Sequence, residues 1–222
     1  MIRIAIDGTA SSGKGTLARK VAMKLGYQYV DTGALYRSVA FIAMLRNIQL
    51  DDEEKLTILT KSLRFRFVWN HKKLEVFVNN ENVTEQIRVD DVGIGASIVS
   101  AHPQVRQALL VTQQNLAKTG GVVMDGRDIG TVIMPHAEVK FYVDADLHER
   151  AKRRHNDYLS VGKSISLEQV LTELRERDNR DKNREVAPLI QSEDAYLLDT
   201  TNLSIDQAVE RMLEQCSLYL DK

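Results

Sequence analysis

Gly8-Thr9-Ala10-Ser11-Ser12-Gly13-Lys14-Gly15-Thr16 follows an apolar run carrying Ile2, Ile4, Ala5 and Ile6, and its reading decides the fold. A strand that ends at Asp7 and opens into two glycines with four residues between them, then a lysine, is the layout of a phosphate-binding loop. Gly8 and Gly13 permit the tight turn, so that successive N–H groups and the start of the next helix cradle a di- or triphosphate. Lys14 would reach the β- and γ-phosphates, and the Thr16 hydroxyl would lie near a Mg²⁺ carried by the nucleotide. The plain alternative is a glycine-rich turn with a chance lysine. The helical pattern Leu17, Val21, Ala22, Leu25 directly after the loop argues against it.

Outward from the loop, apolar strands and helices alternate. Residues 27–30 read as a second short strand ending at Asp31, with a turn at Thr32 and Gly33 and a helix over residues 34–46. Asp51 and Asp52 suit the cap of a further helix to about Leu63. The period then changes: Leu63, Phe65, Phe67 and Trp69 alternate with Arg64 and Arg66, a turn is expected over residues 70–73, and Leu74, Val76 and Val78 alternate again. That is a β-hairpin, with Asn79, Asn80 and Asn82 marking a second turn. Residues 90–101 and 103–118 read as helices, 122–124 as a buried strand ending in Asp125, and 139–143 as another strand. Residues 146–158 form a charged helix, Ser166 with Gln169 makes a capping box for a helix to about Arg184, and residues 196–198 are the last strand. Ser204 with Gln207 caps a final amphipathic helix. Five short strands separated by helices predict an α/β fold with a parallel sheet covered on both faces, into which the hairpin is inserted.

Composition sets limits on function. Of 222 residues, 43% are hydrophobic and 27% charged, ordinary for a globular chain, and the net charge of −1 gives no global reason to bind nucleic acid or membrane. The longest apolar run, residues 39–45, is too short to span a bilayer, and the N-terminus shows no signal-peptide pattern, so a cytoplasmic protein is expected. The lone Cys216 shares a helical pattern with Val209, Met212 and Leu220 and reads as a core thiol. The five histidines lack metal-ligand spacing, so no metal held by protein side chains alone is expected.

In a parallel sheet, ligands gather at the carboxyl ends of the strands, which brings residues 8–13, 31–37, 125–128 and the Asp144 region to one edge. Arg177, Arg180, Asp181 and Arg184 are spaced so that three guanidiniums and one carboxylate share one helical stripe. A solvated helix with Glu173–Arg177 and Glu176–Arg180 pairs is the plain reading. Transfer between two polyanions, however, needs planar bidentate donors around the moving group, and arginine supplies them. Asp125-Gly126-Arg127-Asp128 at a strand end, and Asp31-Thr32-Gly33 with Tyr36 and Arg37 at a helix N-terminus, are further candidates, against a surface ion pair and a capped helix. No general base stands out. None is required if the acceptor is an ionised phosphate.

Taken in order, G-T-A-S-S-G-K-G-T, D-T-G-A-L-Y-R, D-G-R-D-I-G-T-V and R-D-N-R-D-K-N-R closely resemble the motifs of the bacterial cytidylate kinases, within the nucleoside monophosphate kinase family. The resemblance covers nearly the whole chain and implies a single P-loop kinase domain. Its core would be residues 1–33, 103–145 and 185–222, with a monophosphate-binding insertion over 34–102 and a mobile lid over 146–184. It implies ATP-dependent phosphorylation of CMP, with dCMP as a second acceptor, by a monomer that uses neither nucleic acid nor membrane. Gly8, Thr9, Ala10, Ser11, Ser12, Gly13, Lys14, Gly15 and Thr16 would bind ATP. Thr32, Arg37, Arg127, Arg177 and Arg184 would hold the CMP phosphate, Tyr36 and Asp181 the ribose, and Ser97, Arg106 and Asp128 the cytosine. Arg154 and Arg180 would meet ATP or the transferred group from the lid side. Lys14, Arg127, Arg177, Arg180 and Arg184 would be the catalytic set. Thr32 stands where a serine is expected and keeps the hydroxyl; Lys182 stands where arginine is common. The rival readings are a kinase of UMP, AMP or a small hydroxyl substrate, and a P-loop regulatory or RNA-binding module.

Overall fold

In the computed structural model, which describes residues 1–70, 73–118 and 120–220, the chain opens with β1 (Arg3–Gly8), α1 (Lys14–Leu25) and β2 (Gln28–Asp31). It continues with α2 (Gly33–Leu45), α3 (Glu53–Ser62), the strands β3 (Phe65–Asn70), β4 (Lys73–Val78) and β5 (Glu81–Asn82), and the helices α4 (Asp90–Val99) and α5 (Pro103–Leu116). Then follow β6 (Val122–Gly126), β7 (Val139–Asp144), α6 (Leu147–Ser160), α7 (Leu167–Asn183), β8 (Tyr196–Asp199) and α8 (Ile205–Leu220).

Five strands pair in the order β2-β6-β1-β7-β8, and every pairing is parallel. The central strands are buried along nearly their whole length because helices cover both faces. Register sets Asp31 opposite Asp125, Asp7 opposite Gly126 and Gly8 opposite Val143, so the functional stretches leave the sheet at one level. Ile4, Ile6, Leu17, Val21, Phe141 and Met212 form the core beneath, with Cys216 fully buried as expected.

The hairpin forms a separate antiparallel sheet in the order β3-β4-β5, and its expected first turn includes His71 and Lys72, outside the described residues. Asn79 and Asn80 turn with φ of 50° and 73°, a region that asparagine tolerates better than most residues. A second apolar cluster joins α2, α3, the hairpin and α4, and it also takes Val105 and Leu109 of α5, which therefore ties the insertion to the sheet. The helix signals hold: Asp52 caps α3, both reciprocal bonds of the Ser166–Gln169 capping box are made, and Ser204 and Gln207 exchange the same pair of bonds. A π-helical turn over Ile129–Ile133, directly after Asp128, has no periodicity from which to read it.

Gly8 is required where β1 ends. Its φ is 153°, and a Cβ there would lie 1.9 Å from the Val143 carbonyl oxygen, a backbone atom fixed in the neighbouring strand. Gly8→Ala is therefore expected to destabilise the fold by more than about 2 kcal/mol in denaturant unfolding, since overpacking and strain act together. A loss within about 0.5 kcal/mol, the range of ordinary surface changes, would show that the strand end can give way.

Candidate active site

One cleft of about 840 Å³ opens above the carboxyl ends of the strands. Ala10, Ser11, Ser12, Gly13, Lys14, Gly15 and Thr16 line it from one side. Thr32, Tyr36, Arg37, Ser97, Arg106, Arg127, Asp128, Arg154, Arg177, Asp181 and Arg184 also line it. Of the residues singled out from sequence, Gly8, Thr9 and Arg180 do not. Gly8 and Thr9 lie beneath the loop, the Thr9 hydroxyl donating to Asp144 Oδ1 at 2.6 Å. Arg180 points away from the phosphate loop: its Nε donates to Ser97 Oγ at 3.2 Å and its guanidinium reaches Glu176 at 4.0 Å, one of the two helix pairs anticipated.

The loop's shape follows from its backbone. Ser11 and Gly13 take φ of 58° and 90°, and the α1 N-terminus begins at Lys14 with no side-chain cap, which leaves its first N–H groups for an anion. Lys14 Nζ donates to the Thr9 carbonyl oxygen at 3.1 Å. Burial, reinforced by the nearby Arg127, lowers its pKa to about 7. Arg177 is pushed down to about 10 by burial and by Arg127. Among its neighbours, Arg127 is held by Asp181 (Nε to Oδ2, 2.7 Å) and Arg37 by Asp31 (2.6 Å). The Nε atoms of Arg37, Arg106 and Arg177 are buried without a hydrogen-bond partner. Buried cations depressed by one another, with donors left over, are a site that lacks its anions.

The carboxylates are placed to answer this charge. Asp125 accepts from the Tyr29 hydroxyl at 2.7 Å, and burial together with Asp31 raises its pKa to about 6. Asp7 accepts the N–H groups of Ile129 and Gly130, both at 2.7 Å, and so fixes the π-helical turn that carries Asp128 into the cleft. Asp128 is buried, pairs with Arg106 through Oδ2, and has Arg184 at 3.6 Å from Oδ1. Thr32 turns its hydroxyl inward to the Asp125 carbonyl oxygen at 2.8 Å. Arg154 pairs with Asp90 at 2.6 Å, which links α6 to the start of α4.

Asp7, Asp90 and Tyr29 were not among the candidates, and Asp31 and Asp125 were named only within strand-end motifs, with no role of their own. Their spacing shows only strand ends. Their roles come from partners up to 123 residues away.

A phosphate loop on the central strand of a parallel sheet, facing a second cluster of buried arginines, defines a P-loop kinase. The fold is shared with a solved sugar kinase from Janibacter sp., TM-score 0.50 and 12% identical, covering 99% of this chain and 96% of that one. The chain also matches the cytidylate kinase family profile over residues 4–218. It is 47% identical over 213 residues to the cytidylate kinase of a Geobacillus strain (96% of this chain, 95% of that protein) and 45% identical over 213 residues to that of Bacillus subtilis, with the same coverage. The chain belongs to the cytidylate kinase family.

Because the folded-state pKa of Lys14 lies below its unfolded value, its protonated form opposes folding most strongly below about pH 7, and the penalty fades as pH rises toward 10.5. Lys14→Met is expected to unfold at higher denaturant than the wild type, by more than about 1 kcal/mol at pH 6 and by less at pH 9, while turnover falls by orders of magnitude. An equal or lower stability at pH 6 would mean that Lys14 is not under electrostatic stress.

Proposed function

We propose that the protein transfers the γ-phosphoryl group of ATP to CMP, and to dCMP, giving ADP and CDP or dCDP. The observation that carries this reading is the single cleft with an anion-binding loop at one side and, facing it, arginines with unmatched donors that lead to a buried Asp128–Arg106 pair. The bond from the γ-phosphorus to the β,γ-bridging oxygen breaks as one forms to an oxygen of the CMP phosphate. The leaving oxygen stays on ADP. Since the acceptor oxygen is already ionised, no base removes a proton. What the chain supplies is position and charge: loop N–H groups and Lys14 on the donor, and Arg37, Arg127, Arg177 and Arg184 on the acceptor phosphate and the moving group. Thr32 would need to release the Asp125 carbonyl, or act through its backbone, to join them.

A Mg²⁺ ion accompanies ATP in this reading, and the residues present fit it. Thr16 and Asp125 both line the cleft, and a hydroxyl and a carboxylate are oxygen donors of the kind Mg²⁺ takes. Among the described residues no group of three His, Cys, Asp or Glu side chains could hold the ion alone, so the nucleotide phosphates complete its shell. When bound, the ion neutralises charge on the β- and γ-phosphates.

The remaining assignments follow. Tyr36 and Asp181 meet the ribose, and Ser97 the cytosine edge. Arg154 and Arg180 turn toward the donor when the lid, residues 146–184, closes over the insertion, 34–102. Arg154 must first leave Asp90, and Arg180 must leave Ser97. The enzyme works as a cytoplasmic monomer in this reading. The cleft is complete within one chain, and among the described residues no helix is long and apolar enough to cross a membrane.

An ADP-release assay across CMP, UMP, AMP and shikimate tests the reading: activity is expected with CMP, and equal or greater activity with another acceptor would contradict it. Base choice is sharper. Asp128 Oδ1 is open to accept the cytosine amino hydrogens, and Arg106 has an unmatched Nε–H to offer N3. Uracil reverses both groups, a mismatch of about 4 kcal/mol in a site built on such bonds. Asp128→Asn, whose amide can donate to O4, is expected to narrow the ratio of kcat/KM for CMP over UMP. A ratio left unchanged would remove Asp128 from base reading.

A further inference from the structure

Ala10, in the middle of the phosphate loop, is gripped by the two helices that follow β7. Its N–H donates to Asp178 Oδ1 at 3.2 Å, and its carbonyl oxygen accepts from Arg150 Nη1 at 3.0 Å. Arg150 Nη1 also meets Asp178 Oδ2 at 2.6 Å, which closes a ring of hydrogen bonds around one residue, and Arg150 Nε anchors the ring to the Ala145 carbonyl oxygen at 2.9 Å. Arg150 is 6% exposed and Asp178 7%. The grip is apolar as well, for Ala10 belongs to the cluster of Ala151, Tyr158, Val170 and Leu174 that holds α6 to α7.

The grip has a task. Ser11, next in the chain, is a non-glycine residue at φ 58°, a conformation that persists only when its surroundings impose it. On its far side the Ser12 carbonyl accepts from Thr200 Oγ1 at 3.0 Å. With both neighbours fixed, Ser11 is held in the turn that opens the loop to an anion. Because the Ala10 N–H is already spent on Asp178, it is not a phosphate donor itself.

We propose that Arg150 and Asp178 are positioning residues that hold the donor loop in its phosphate-binding shape, and that Ala10 is the fixed base on which the α6–α7 pair moves. The assignment rests on the reading of the loop as the ATP site. It adds that the lid helices are pinned to the donor loop at this end, so that they pivot here and their displacement grows toward the outer turn between α6 and α7.

The test is calorimetric binding of MgATP without CMP, and of CMP without ATP, to the full chain. Arg150→Met combined with Asp178→Leu removes the ring and leaves no buried charge unpaired, a replacement that buried ion pairs commonly tolerate. Arg150→Lys keeps the charge and cannot reach both carbonyls. The expected result is a Kd for MgATP raised by about tenfold or more in the double variant and by less in Arg150→Lys, with the Kd for CMP within about twofold of wild type in both. An unchanged MgATP affinity, or equal losses for the two nucleotides, would overturn the assignment. A wild type that binds no MgATP would overturn the reading of the loop as well. If the double variant does not fold, the split in Arg150→Lys decides, and so does the wild-type Ala10 amide: slow hydrogen exchange before nucleotide is added is expected, and fast exchange would contradict the grip.

Discussion

The structure depends on keeping an excess of buried positive charge in place before any anion arrives. Lys14 and Arg177 both have depressed pKa values, and in each case burial and Arg127 are the leading causes. A fold optimised for stability alone would not gather these groups, because each costs more to bury beside the others. Stress of this kind is relieved when charge of the opposite sign enters, which favours binding of the nucleotide phosphates. The carboxylates Asp31, Asp125, Asp128 and Asp181 limit the stress without cancelling it.

Holding such a cluster requires a rigid frame, and the frame is made of carboxylates bonded to the loop and to the turn. Asp7 holds the N–H groups of the turn after Asp128, Asp144 holds Thr9, and Asp178 holds Ala10. Each sits at a strand end or on a helix beside the cleft; Asp7 and Asp178 fix main-chain N–H groups and Asp144 the Thr9 hydroxyl, so the geometry of the site is set by the fold rather than by flexible side chains. The arginines on α6 and α7 that face α4 are held differently. Arg154 and Arg180 are bonded to the half-buried Asp90 and the buried Ser97 on α4, single side-chain contacts that exchange for a nucleotide more readily than the backbone-anchored groups do.

Much of this was readable from residue order. The loop, the five strands, the hairpin and the two capping boxes are local patterns, and local patterns survive folding unchanged. The cleft residues on the Arg177 stripe and in D-G-R-D could be found because their spacing places them on one face or at one strand end. The π-helical turn could not, since it is imposed by Asp7 from 122 residues away. Nor could the ring around Ala10, whose members are 140 and 168 residues apart from it in sequence. In sequence Asp178 is one more charge on a charged helix, and only the docking of that helix on the loop shows which face it occupies.

The claim that the cleft stores electrostatic stress is tested most directly by the side-chain nitrogen of Lys14, followed by NMR as a function of pH in the free protein and with MgATP bound. The structure predicts a titration near pH 7 in the free protein, moving upward by more than one pH unit once the phosphates are present. A free-protein titration at the ordinary lysine value near 10.5, unmoved by nucleotide, would contradict it.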